Sequence, residues 1–153
     1  MIPQFNNLDQ KETELMLDAP ALVTLLIAGS DGNIEQKQVD WGSKITHFRA
    51  KDEDSIMQSY YIEVEKSFND TLAQFINAFP NDIEERGKLI NNELIKINDI
   101  LPKLNKDFAK QFYSDMKSLS KQIAKATGGV WGYGSISAEE QKYLDLDIIN
   151  PVE

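Results

Sequence analysis

Apolar residues recur along this chain at three- and four-residue intervals, the spacing that holds one face of an α-helix against a core. From about Asn105 to Ala126 the positions Phe108, Phe112, Met116, Leu119, Ile123 and Ala126 form one such stripe. A second, from Asn81 or Asp82 onward, reads Ile83, Gly87, Ile90, Leu94, Ile97 and Leu101 before Pro102. Its alternation of four and three is that of closely packed, nearly antiparallel helices. A third runs Ile56, Tyr60, Val64, Phe68, Leu72, Phe75 or Ile76, and Phe79, with Asp52, Glu53 and Asp54 offering caps ahead of it and Pro80 stopping it. Repeated spacing of four drifts around a helix of about 3.6 residues per turn, so a bend or break is expected near Ser67–Asp70. A fourth helix is expected over Glu35 to Arg49, with Gln38, Trp41, Ile45 and Phe48 on one face.

Nearer the start, residues 1–8 read as a loose arm and Lys11 to Leu17 as a short helix. Asp18-Ala19-Pro20 is expected to restart the chain, because Asp caps well and Pro is tolerated at a first helical position. Pro20 to Ala28 is then apolar nearly all round, which predicts a helix at the centre of the core. Gly29, Asp31 and Gly32 end it in a turn. Towards the other terminus, Ser137 and Glu140 form a capping box for a last helix over Ala138 to Leu146, followed by a tail, 147–153. No segment alternates with a period of two over strand length. The expected fold is all-α: a single compact bundle of six or seven helices, one domain over 1–153.

With 153 residues, 41% hydrophobic, the chain is long enough for a real core. No apolar run approaches the ~18 residues of a membrane span, and the N-terminus lacks the basic-then-apolar order of a signal peptide. No cysteine is present, which removes disulfides and thiolate chemistry and suits the cytoplasm. A net charge of −9 disfavours nucleic acid as a partner unless the bases gather on one face, and favours solubility, cations and basic partners.

Two glycine-bearing loops resemble each other. The first reads Ala28-Gly29-Ser30-Asp31-Gly32-Asn33-Ile34-Glu35-Gln36-Lys37-Gln38, the second Gly132-Tyr133-Gly134-Ser135-Ile136-Ser137-Ala138-Glu139-Glu140. Neither is a calcium EF-hand. With Gly32 at the sixth loop position, the first and third positions fall on Ile27 and Gly29, where oxygen ligands are needed, and the twelfth is Gln38. In the second loop the first, third and fifth positions are Gly129, Trp131 and Tyr133, although Glu140 does fall at the twelfth.

Asp31-Gly32-x-Ile34, placed just after an apolar helix, resembles the motif of the tellurite-resistance TerB-like family, whose all-helical members carry Asp-Gly-x-Ile/Phe-x-x-x-Glu twice. The resemblance implies a non-enzymatic domain of bacterial type, in stress or metal-related response, whose motif acids gather to hold a divalent cation. Carried over by residue, Asp31 matches the first acid but Gln38 replaces its closing Glu. In the second copy Tyr133 replaces Asp and Glu140 matches. The resemblance thus implies a weak site for a divalent cation from Asp31 and Glu140 with Glu35 or Glu139, the choice among Ca, Mg and Zn being left open. Structural roles stand beside it: Asp31 as a turn cap, Glu140 in its capping box, Ile34 and Ile136 as core staples.

The other candidates are surfaces. His47 is the only histidine, so a zinc or di-iron site and a Ser-His-Asp set are not supported, and the ring reads as a surface or cap residue. The stretch Gly128–Gly134 follows a helix and lacks the Lys-Ser/Thr of a phosphate loop. Its Trp131 and Tyr133 either plug the core or contact a partner. Lys103, Lys106, Lys110, Lys117 and Lys121 align opposite the Phe108–Phe112–Leu119 stripe. They form either a solvated helix face or a ridge that docks an acidic protein or anionic lipid. A metal-free interaction module using that ridge or that loop is the alternative to the cation-binding domain, with other proteins as partners and oligomeric state left open.

Overall fold

In the computed structural model, residues 2–28, 34, 36–125 and 145–152 are described. They fold into helices throughout, with no strand among them. A 3-10 turn, Pro3–Phe5, precedes α1 (Gln10–Ala28), α2 (Gln36–Ala50), α3 (Gln58–Ala78) and α4 (Ile83–Leu94). The single turn α5 (Ile97–Ile100), a second 3-10 turn (Leu101–Lys103) and α6 (Lys106–Lys125) follow.

α1 is the axis of the bundle, touching all five of the other α-helices, and every residue from Ala19 to Ala28 is buried. It starts at a reciprocal cap: Asp9 Oδ1 accepts from the Glu12 amide at 2.8 Å, and Glu12 Oε1 accepts from the Asp9 amide at 3.0 Å. The expected break at Pro20 does not occur. Pro20 lies inside one unbroken helix, and Asp18, rather than capping, sits midway along it. Proline lacks the N–H that the Met16 carbonyl would accept in a helix. The Tyr60 hydroxyl, from α3, donates to that carbonyl instead, at 2.5 Å. A tertiary bond thus replaces the missing helical one, which is why a local proline rule misplaces the boundary.

α2 buries half of the face its sequence suggests, Gln38 and Ile45, and turns the other half outward. Gln38, Gly42, Ile45 and Thr46 are buried, whereas Trp41 is 36% and Phe48 64% exposed. The reason is Gly42: a β-carbon there would lie 2.7 Å from Thr24 Oγ1 and 2.9 Å from Thr24 Cγ2, so α1 and α2 approach closely only along this line. Gln38 Nε2 donates to the Ile123 carbonyl of α6 at 3.2 Å.

α3 runs unbroken through Ser67–Asp70, burying Tyr60, Tyr61, Val64, Phe68 and Leu72. Ile56 is half exposed and Met57 takes its place in the core. The acids Asp52–Asp54 do not cap it: Ser55 Oγ accepts from the Met57 amide at 3.0 Å. Tyr60 meets Phe5, Phe108 and Phe112 edge-on, with ring centroids 5.8–6.1 Å apart. Phe5 and Ile2 are both buried, so the expected loose arm is part of the core.

The stripe from Ile83 to Leu101 is split. α4, capped by Asp82 accepting from the Glu85 amide at 3.0 Å, ends at Leu94. The next residues close i→i+3 bonds, among them Asn98 N to Ile95 O and Asp99 N to Lys96 O, both 3.1 Å. Leu94, Ile97 and Ile100 recur every third residue, the period of such a tightened turn, and all three are buried. α6 matches its sequence stripe, with Phe108, Phe112, Met116, Leu119 and Ile123 buried. The tail is pinned: Asn98 Nδ2 donates to the Ile148 carbonyl and Asn98 Oδ1 accepts from the Asn150 amide, both at 2.8 Å, and Ile149 is buried. Of the first loop, residues 29–33 and 35 lie outside the described residues, while Ala28 ends α1, Ile34 is half-buried and Gln36–Gln38 open α2; the second loop lies outside them entirely, and of the expected last helix only Asp145 and Leu146 are described.

Candidate functional site

Asp31, Glu35, Glu139 and Glu140, the acids of the cation site that the resemblance implies, lie outside the described residues, as do Trp131 and Tyr133. Among the described residues no three Asp, Glu or His side chains gather as a metal would require. His47 is exposed on α2 and its Nδ1 contacts Glu65 Oε1.

The lysine ridge is not continuous. Lys103 belongs to the 3-10 turn, and its Nζ bonds Glu12 Oε2 at 2.6 Å. That contact lowers the Glu12 carboxyl and raises the Lys103 ammonium. Lys117 folds onto its own helix, donating to Tyr113 Oη at 3.1 Å with its ammonium 5.1 Å from the ring centroid. Lys106, Lys110 and Lys121 remain exposed.

What the structure brings together instead is a groove of about 620 Å³ beside the first half of α1. Helix α1 contributes Lys11, Glu12, Glu14, Leu15, Asp18 and Leu22. The end of α3 supplies Phe75, Ala78 and Phe79, and the α4–α5 stretch Glu93, Lys96, Asp99 and Ile100. The floor is apolar: Phe75 and Phe79 stack with centroids 5.3 Å apart and planes at 17°, and both are half-buried rather than sealed in the core. The rim is acidic. Two of its carboxylates are already paired, Glu12 with Lys103 and Glu93 with Lys96 at 3.2 Å, and Glu14 accepts from Gln10 Nε2 at 3.1 Å.

Asp18 is the odd member. It has no hydrogen bond or ion pair among the described residues, and it lies half out of water against the apolar floor. That burial, with the like charges of Glu14 and Glu93, pushes its carboxyl up to about 6. The only sequence sign was a single acid between Leu17 and Ala19 at the head of an apolar run, which reads as a cap when Pro20 is taken as a helix start. A half-buried carboxylate on an apolar floor can hold a cationic side chain or exchange a proton. Among the described residues no nucleophile and base are paired beside it.

Fold and groove together define an all-helical bundle wound around one buried helix, with an acid-rimmed apolar cleft beside that helix. No family model, curated protein or solved structure matches this chain. No helix among the described residues is long and apolar enough to cross a membrane.

Proposed function

We propose that this chain is a non-enzymatic helical docking domain that works by holding a partner protein. The observation that carries the reading is the groove: stacked Phe75 and Phe79 form an open apolar floor beside a carboxylate, Asp18, that has no ion pair among the described residues. Apolar area that stays partly wet on a monomer is where partner contact releases water most favourably. The groove offers contact surface and charge rather than a reacting pair. The cation site implied by the TerB-like resemblance rests on residues outside the described ones and adds no support here. Peptides selected from an unbiased display library on the whole chain should compete with one another and lose binding in Phe79→Ala, with melting followed in parallel. A set of binders indifferent to Phe79→Ala would remove the groove as the docking surface.

A further inference from the structure

Resting on that docking reading, we infer that the groove seats a basic amphipathic helix of a partner protein, its apolar face on Phe75 and Phe79 and one Lys or Arg at Asp18. Charge complementarity selects the occupant. The chain carries −9, and the rim lysine Lys96 and the nearby Lys103 are already engaged by Glu93 and Glu12. Glu14, Asp18 and Asp99 are left without an ion pair among the described residues.

Asp18 is the least well solvated of these three, so an arriving ammonium or guanidinium relieves more there than at a fully wet carboxylate. The same acids repel the phosphates of nucleic acid or an anionic bilayer. The floor runs between helices, which suits a helix laid in a groove by anchors one turn apart rather than a strand seeking a sheet edge.

The test is a displayed library of helices with a fixed apolar stripe and the remaining positions varied among Lys, Gln and Glu, selected on the whole chain. Lys enrichment is expected, and the selected peptide should bind Asp18→Asn about tenfold more weakly, the scale of one desolvated charge pair. Its affinity should fall as pH is lowered from 7.5 to 5 in the wild type. That dependence should be smaller in Asp18→Asn, which separates Asp18 from Glu12, Glu14, Glu93 and Asp99, the other acids facing the groove; Lys11 and Lys96 are its bases, and Tyr60 of α3, which feels the Asp18 charge, stays neutral over this range because burial holds its ionisation well above the ordinary value. Lys110→Gln with Lys121→Gln should change nothing. Enrichment of Glu or Gln, or indifference to Asp18→Asn, overturns the basic helix while leaving the docking surface. Failure to select any peptide sensitive to Phe79→Ala removes the docking surface itself.

Discussion

Tyr60 is the residue on which the central helix depends most directly. Burial holds the ionisation of its hydroxyl well above the ordinary tyrosine value, so it is a neutral donor at any working pH, and its acceptor, the Met16 carbonyl, has no helical N–H because of Pro20. Tyr60→Phe leaves that buried carbonyl unpaired and is expected to cost about 1–3 kcal/mol in urea unfolding. In a Pro20→Ala background the helix supplies its own amide to Met16, and the same substitution should cost about half as much or less. Equal costs in the two backgrounds would show that the hydroxyl stabilises by some route other than replacing the helical bond. Nothing in the sequence near Pro20 announces a partner forty residues away in α3. For that reason Asp18 reads as a cap, and the candidate site stays hidden with it.

At the scale of elements, the α1–α2 approach is the most constrained. Gly42 has no β-carbon, and Thr24 opposite it is held by its own bond, Oγ1 to the Pro20 carbonyl at 2.7 Å, so it cannot turn aside freely. Gly42→Ala would normally favour a helix by about 1 kcal/mol. Here the overlap should dominate, with net destabilisation of about 1–3 kcal/mol and lower melting. An unchanged or raised melting temperature would mean that the two helices can part at little cost.

The same contact shows what periodicity can and cannot convey. The α6 stripe was legible residue by residue because one apolar face and one core coincide. In α2 the buried face was chosen by a glycine and two polar residues, Gln38 and Thr46, while Trp41 and Phe48 stayed outside. Period alone could not reveal that. The split between α4 and α5 was half legible, in the three-residue spacing of Leu94, Ile97 and Ile100.

Across the whole molecule, the groove joins three stretches of chain, 11–22, 75–79 and 93–100, and only the tertiary fold makes them neighbours. Its electrostatic cost should be visible in stability. Asp18 ionises near pH 6 in the folded chain against 3.8 for a free side chain, so folding favours its neutral form. Its contribution is full below about pH 3.8 and is lost as pH rises through 6. Asp18→Asn should therefore match the wild type near pH 4 and exceed it at pH 7. Each tenfold change in proton affinity is worth ~1.4 kcal/mol, but water reaches the exposed half of the side chain and screens much of it, leaving a gain of about 1 kcal/mol. That is about 2–4 °C in melting for a chain of this size. Identical pH profiles for the two proteins would place the carboxylate in open water.

The bond from Tyr60 to Met16 also bears on the order in which the molecule comes together. A nascent chain that has reached only Ala50 holds all of α1 and α2 but not the hydroxyl that bridges the proline. In that state Pro20 interrupts the helical ladder, and the two halves of α1 are free to form as separate pieces. The central helix becomes one rod only when α3 arrives and lays Tyr60 across the gap. Its continuity therefore reports that the bundle has assembled, and a segment spanning 9–28 alone should show little helix, with no protected amides bridging Pro20.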